Sequence, residues 1–260
     1  MKPKKSYGQH FLTSEQIAAR IAHSLRATDL YDQVLEVGPG QGMLTKHLLV
    51  RNLRLTVVEA DPDMVAHLQE HYPELEGQIV AADFLRLALD ERMSNRPFGL
   101  IGNFPYNISS QILFKMLDYR HLIPEMVGMF QREMAERVIA PEGSKTYGVI
   151  SVLVQAYYTG EYLFTVKPGS FHPPPKVQSA VIRLERKASL ELNCDEALFK
   201  RVVKQAFGQR RKMLRNTLKS LVDPAESLQD DFFQQRPEQL SVADFVWLTN
   251  WIAEHPSSTT

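Results

Sequence analysis

At 260 residues and 44% hydrophobic content the chain can build one large globular domain, or one with a small appendage. Thirty basic and thirty acidic residues cancel, and the single cysteine, Cys194, excludes an internal disulfide framework and a cysteine-built metal site. No stretch approaches the roughly 20 apolar residues of a membrane span. The start, Met-Lys-Pro-Lys-Lys, has no apolar segment behind it, so neither a membrane role nor a secretory signal is expected and the expected compartment is the cytoplasm.

Gly8-Gln-His-Phe-Leu12 precedes a helix. Thr13 and Gln16 fit a capping box, and Ile17, Ile21 and Leu25 recur every four residues on one face. Alone, the polar pair Gln9 and His10 reads as a plain lead-in turn. Val34 to Val37 is a strand running into Gly38-Pro-Gly-Gln-Gly42, with a helix from about Met43 to Val50 behind it. Strand, glycine loop and helix open a doubly wound fold, in which glycines such as Gly38 and Gly40 let the backbone approach a ligand. The pattern is G-x-G-x-G rather than the full dinucleotide fingerprint, which makes it weak by itself.

The second strand, Leu53 to Val58, ends in Glu59, 21 positions after Gly38 and close to the offset of about 20 at which an acid meets ribose hydroxyls. Asp61 and Pro62 supply an N-cap and a first-turn proline. A third strand, Gln78 to Ala82, ends in Asp83-Phe84. An acid and an aromatic suit an adenine's exocyclic amine and its face, although Asp83 equally suits a cap for the next segment. The fourth strand, Phe98 to Ile101, stops at Gly102-Asn103, where Pro105 forces the chain away from the sheet. The Asn103 amide, the neighbouring carbonyls and the Tyr106 ring then stand where open α/β sheets bind ligands, and together they suit a planar amine such as a nucleobase. The recurrence of Gly38, Glu59, Asp83 and Asn103 at four successive strand tips is more specific than any one of them.

Ile108 to Leu117 reads as a helix, Met126 to Phe130 as a fifth strand, Gln131 to Ile139 as a helix and Ala140 to Tyr147 as a polar loop. Gly148 to Tyr158 is ambiguous between helix and strand. Phe164 to Val166 and Val177 to Leu184 read as closing strands around Gly169-Ser-Phe-His-Pro-Pro-Pro-Lys176. That proline-stiffened loop either presents Phe171 at a fixed position or simply buries it. From about Leu190 the character changes: 195–207, 211–221, 227–234 and 241–253 read as helices, with Leu198, Val202, Val203 and Phe207 on one packed face. Residues 197–222 carry eight basic side chains (Lys200, Arg201, Lys204, Arg210, Arg211, Lys212, Arg215 and Lys219) and no acid, whereas 223–260 carry seven acids and one Arg. A solvated basic face is the ordinary reading of such a run; its purity favours contact with nucleic-acid phosphates.

Taken together, Gly-Gln-His-Phe-Leu12, Glu-Val-Gly-Pro-Gly40, Val-Val-Glu59, Asp83, Gly-Asn-Phe-Pro-Tyr-Asn-Ile-Ser109 and Phe-His-Pro-Pro-Pro-Lys-Val177 resemble the ribosomal RNA adenine N6-dimethyltransferases. Ala-Phe-Gly-Gln-Arg-Arg-Lys-Met-Leu-Arg-Asn216 extends the likeness into the tail, where it is similar to the bacterial small-subunit branch more than to the erythromycin-resistance branch. The resemblance implies a Rossmann-like α/β methyltransferase domain over 1–188 using S-adenosylmethionine, with a small all-helical domain over 189–260. It implies N6,N6-dimethylation of two adjacent adenines in the 3′-terminal hairpin of small-subunit RNA by a monomer that acts on the 30S subunit and needs no metal. Gln9, His10, Leu12, Gly38, Gly40, Glu59, Asp83, Phe84 and Asn103 are then expected to hold the cofactor. Asn103, Phe104, Pro105, Tyr106 and Phe171 are expected to hold the target base, and Lys204, Arg210, Arg211, Lys212, Arg215 and Lys219 the RNA. The family's usual Asn-Leu-Pro-Tyr is here Asn-Phe-Pro-Tyr, which sets a larger side chain, Phe104, in the active-site turn. The competing readings are an NAD-dependent oxidoreductase, a non-catalytic assembly factor, and the resistance-type enzyme acting on large-subunit RNA.

Overall fold

The computed structural model describes residues 9–222 and 228–257, so Gly8 of the first motif and Ser227 of the penultimate expected helix lie outside the described residues. Backbone contacts divide these into two units, one of 9–135 with 159–186 and one of 136–158 with 187–222 and 228–257. Residues 136–158 therefore group with the C-terminal part of the chain, not with the sheet.

The first unit is built on strands β1 (Phe11–Leu12), β2 (Gln33–Val37), β3 (Arg54–Glu59), β4 (Ile79–Ala81), β5 (Gly99–Asn103), β6 (Glu125–Gln131), β7 (Tyr158–Val166), β8 (Phe171–His172) and β9 (Ser179–Arg186). Seven of them form one sheet in the order β4-β3-β2-β5-β6-β9-β7. The first five of that order are parallel and β9 joins β6 antiparallel. Chain order runs outward in opposite directions from β2 and β5, which makes the gap at their carboxyl ends the switch point where such sheets hold ligands. Central strands such as Val34–Val37 and Gly99–Ile101 are buried, as parallel strands covered on both faces must be.

Helices α1 (Glu15–His23), α2 (Thr45–Leu49), α3 (Pro62–His71), α4 (Leu89–Arg92) and α5 (Ser109–Asp118) connect the strands. Asp61 caps α3 by accepting the Asp63 N–H, with Pro62 in the first turn. The cap of α1 is Ser14, which accepts the Ile17 N–H, and not Thr13. Thr13 is drawn away because its N–H and hydroxyl both donate to the Ser170 carbonyl, at 2.9 and 3.0 Å. That contact continues the β1–β8 pairing, in which Leu12 lies opposite Phe171.

The second unit holds the end of α6 (Arg132–Val138), then α7 (Val149–Gln155), α8 (Glu196–Phe207), α9 (Leu214–Thr217) and α10 (Val242–Glu254). The ambiguous segment 148–158 is thus mainly helix α7. Helix α8 packs on α7 and α10 through Phe199, Val202, Val203 and Ala206; Phe199, not Leu198, takes the buried position. The expected helix 211–221 shrinks to Leu214–Thr217. Longer-range bonds outcompete its continuation: Leu214 N–H donates to Gln235 C=O at 2.9 Å, and Val222 bridges Pro256. Within 228–234 the helical residues include only a short tight turn, Asp231–Gln234, beside a similar stretch at 228–229. No helix among the described residues is long and apolar enough to cross a membrane.

Candidate active site

Because the sheet order is β4-β3-β2-β5, the strand tips bring Asp83, Glu59, Gly38 and Asn103 side by side along one edge. They line a cavity of about 620 Å³, within the range of small-molecule sites. Gln9, His10, Leu12, Gly40, Phe84, Phe104, Pro105 and Tyr106 line it as well.

The glycine loop makes its turn with positive φ at Gly38, Gly40 and Gly42. At Gly40 (φ 55°) a Cβ would also stand 3.0 Å from the Phe11 ring, so only glycine lets β1 lie across the loop. The Gly40 N–H donates to Glu59 Oε2 at 3.1 Å and the Asp61 N–H to Oε1 at 2.9 Å. Glu59 is thereby fixed by the backbone, and each oxygen keeps a lone pair for a ligand hydroxyl. Burial pushes its pKa up, against the lowering effect of these N–H groups. On the other side of the loop Asp61 accepts from Gln9 Nε2 at 2.9 Å, which ties the N-terminal strap to α3.

The strap continues across the Asn103 turn. His10 Nδ1 donates to the Pro173 carbonyl at 2.8 Å, and its ring stacks on Tyr106 with centroids 5.4 Å apart. The Tyr106 hydroxyl is 2.6 Å from Ser179 Oγ, and burial raises its pKa. Asn103 Nδ2 donates to the His10 carbonyl at 3.0 Å. A carbonyl can only accept, so the amide's nitrogen is committed to the strap and Oδ1 is its acceptor for a ligand. Asp83 does cap the next turn, accepting the Leu85 N–H at 2.9 Å, and lines the cavity at the same time.

Two expectations are corrected here. Phe171 does not reach the cavity: it is 4% exposed and packed in the core with Leu12 and Val181, held there by the β1–β8 pairing, and its ring has no face to offer a base. Phe104 does not put bulk into the active-site turn, since its side chain is 1% exposed and turns into the sheet. It lies over Gly102 and Gly128, register partners on β5 and β6, where added Cβ atoms would come within 2.8 and 2.3 Å of its ring, and it packs on Phe130 at 5.1 Å. Gly128→Ala should therefore destabilise the fold by about 1–3 kcal/mol through overpacking. Phe104→Leu should cost about 1–2 kcal/mol alone yet relieve Gly128→Ala, so the double variant melts above the additive expectation in thermal unfolding.

Sequence reasoning passed over Glu36. This carboxyl is 1% exposed, lines the cavity, and accepts the Thr45 hydroxyl at 2.7 Å. Burial raises its pKa to about 8, with the Glu59 charge adding to the effect and the Thr45 bond opposing it. The signal was an acid inside the otherwise apolar run Val34–Val37. Among the described residues, the cavity lining holds Glu36, Glu59 and Asp83 but no Lys or Arg.

In the second unit Lys204, Arg211, Lys212 and Lys219 are exposed, whereas Arg210 and Arg215 are half-buried. Arg210 donates to the Ser144 carbonyl at 3.0 Å, so part of its capacity is spent inside the unit.

A family model described as ribosomal RNA adenine dimethylase matches residues 1–254. The chain belongs to this family. It is 53% identical over 254 residues to the ribosomal RNA small subunit methyltransferase A of Phocaeicola vulgatus, covering 97% of this chain and 90% of that one. The protein of the same name from Cytophaga hutchinsonii is 50% identical, with 97% and 98% covered. Among solved structures, a dimethyladenosine transferase from Plasmodium falciparum shares the fold at TM-score 0.77 and 24% identity, covering 95% of this chain and 100% of that one. The 23S rRNA methyltransferase ErmE follows at TM-score 0.66 and 26% identity, with 92% and 99% covered.

Proposed function

We propose that this family member uses S-adenosylmethionine to dimethylate N6 of two adjacent adenines in the 3′-terminal hairpin of small-subunit ribosomal RNA. In this reading it acts as a cytoplasmic monomer on the 30S subunit and contributes to subunit biogenesis. The observation that carries the reading is the acid-lined cavity beside the Asn103–Tyr106 turn, at the sheet's switch point. Its donor set fits S-adenosylmethionine, which bears a sulfonium and an ammonium against one carboxylate, better than it fits the anionic pyrophosphate of a dinucleotide. That difference disfavours the oxidoreductase.

Glu59 would take the ribose hydroxyls and Asp83 the adenine amine, with Phe84 beside the ring. Gly38 and Gly40 would pass along the amino-acid end and Glu36 would face its positive charge. Gln9, His10 and Leu12 would close the site as part of the strap. The cofactor supplies an electrophilic methyl group. Adenine's exocyclic nitrogen is a poor nucleophile because its lone pair is delocalised into the ring. Accepting its N–H bonds at Asn103 Oδ1 and the Phe104 carbonyl draws that nitrogen toward a tetrahedral form, which frees the lone pair. Pro105 fixes the turn, and Tyr106 offers its ring to the target base, a stacking contact worth roughly 1–3 kcal/mol. The base must leave its stack to arrive there. The methylated cation is acidic enough to lose its proton to water, so the residues contribute mainly placement, which can supply about 7–11 kcal/mol. Lys204, Arg211, Lys212 and Lys219, with the remaining capacity of Arg210 and Arg215, would meet RNA phosphates.

The test is transfer of labelled methyl from S-adenosylmethionine to unmethylated small subunits, with large subunits and deproteinised RNA in parallel. N6,N6-dimethyladenosine in small-subunit RNA is the expected result. Label confined to large-subunit RNA would move the chain to the resistance branch, and no label with subunit binding intact would leave an assembly factor.

A further inference from the structure

Lys115 sits in the last turn of α5, the helix that begins three residues after Tyr106, and is half-buried. Its ammonium donates to two main-chain carbonyls of the turn after Asp83, Leu85 at 3.1 Å and Leu87 at 2.6 Å. The same nitrogen lies 5.5 Å from the Phe84 ring centroid and 5.4 Å from that of Tyr119, within reach of cation–π attraction. Desolvation of the ammonium opposes this placement and lowers its pKa. Leu85, anchored by its carbonyl, also donates the N–H of the preceding peptide unit to Asp83 Oδ1 at 2.9 Å. Asp83, Phe84 and Leu85 all line the cavity. The contacts thus run from the helix that follows the target-base turn, through one lysine and the backbone of one residue, Leu85, to the carboxylate at the tip of β4.

We propose that Lys115 is a positioning residue for cofactor binding: it fixes the Leu85 backbone by its carbonyl, and through the Leu85 N–H it holds Asp83 in the orientation that receives an adenine's exocyclic amine. The inference rests on the adenine-binding reading of Asp83. A lysine that merely satisfied the carbonyls at the end of a short turn would support the fold without any special link to Asp83, and a double-mutant cycle separates the two cases.

The experiment is calorimetric binding of S-adenosylhomocysteine to the full chain, Lys115→Met, Lys115→Arg, Asp83→Ala and the double variant Lys115→Met/Asp83→Ala. Met keeps the apolar stem and removes the donors together with the charge. Of the two charge-assisted bonds lost in Lys115→Met, the one to the Leu85 carbonyl bears on Asp83, and its loss should weaken binding about tenfold. The KM for S-adenosylmethionine should rise in parallel while kcat stays within about twofold, because the chemistry at Asn103 is untouched. Lys115→Arg should regain most of the affinity, since its fork can serve both carbonyls. In the Asp83→Ala background, Lys115→Met should cost less than about twofold more. Unchanged affinity in Lys115→Met, or full additivity with Asp83→Ala, would overturn the inference. If the parent chain itself fails to bind S-adenosylhomocysteine, the cofactor reading falls first. A thermal unfolding curve for each variant confirms that a folded protein is being titrated.

Discussion

Asn103→Ala is expected to slow methyl transfer by about 10²–10³-fold while leaving the dissociation constant for S-adenosylhomocysteine within about tenfold. The rate figure is the loss typical when one preorganised hydrogen-bonding group at a reacting centre is removed. The split follows from where the amide is tethered. Its nitrogen donates to the His10 carbonyl, so its oxygen is presented to the cavity in a fixed direction before any substrate arrives. An acceptor oriented in advance helps most where the target nitrogen changes shape, and little where the cofactor rests. The modest cofactor penalty has its own source: without the amide, the strap carrying His10 loses one of its ties, although His10 to Pro173 and Gln9 to Asp61 remain. Single-turnover methylation and calorimetry on the same preparation measure both numbers. Equal loss of rate and affinity would show Asn103 to be a structural clamp on the strap instead of an acceptor for the amine.

What the chain reveals before folding, and what it hides, follows the range of the determining interactions. Gly38, Glu59, Asp83 and Asn103 were legible because strand-then-turn signals are local, and parallel strands put all their carboxyl ends at one edge. The direction of Phe104 was not legible. It depends on Gly102 and on Gly128, which becomes its neighbour only when β5 and β6 pair. Thr13 looked like a cap because nothing nearby shows that Ser170 will claim both of its donors. Phe171 is buried by the same long-range pairing. The helix expected over 211–221 was cut short by Gln235 and Pro256. Local propensity placed the strands and turns of the sheet; sequence-distant contacts decided where helices start and stop and which side chains face the cavity.

Glu36→Gln is expected to stabilise the fold at pH 7–8 and to weaken the cofactor. The folded-state pKa of Glu36 is raised from the model-compound value of 4.5 to about 8 by burial. A raised carboxyl pKa means that folding favours the protonated form. The cost is therefore absent below pH 4.5, grows as pH rises through the interval, and is complete above about pH 8. At pH 7 some 2.5 units of that interval have been traversed, which corresponds to about 3 kcal/mol. Glutamine keeps an acceptor for the Thr45 hydroxyl and removes the ionisation. The melting temperature of the variant should exceed the parent's by about 9–18 °C at pH 8, a gap that closes by pH 4.5. A gap of constant size across that range would mean that packing, not ionisation, separates the two proteins. The same substitution removes a carboxyl that lines a cavity holding Glu59 and Asp83 but, among the described residues, no Lys or Arg. A ligand carrying positive charge would draw the proton off Glu36 and offset the cost of ionising a buried carboxyl. The variant should accordingly bind S-adenosylmethionine more weakly than the parent. Because Glu36 protonates as the pH falls from 8 toward 6, the affinity gap should be largest at pH 8 and shrink on acidification. Stability and affinity would then move in opposite directions at one residue, as expected where a strained group is retained for function.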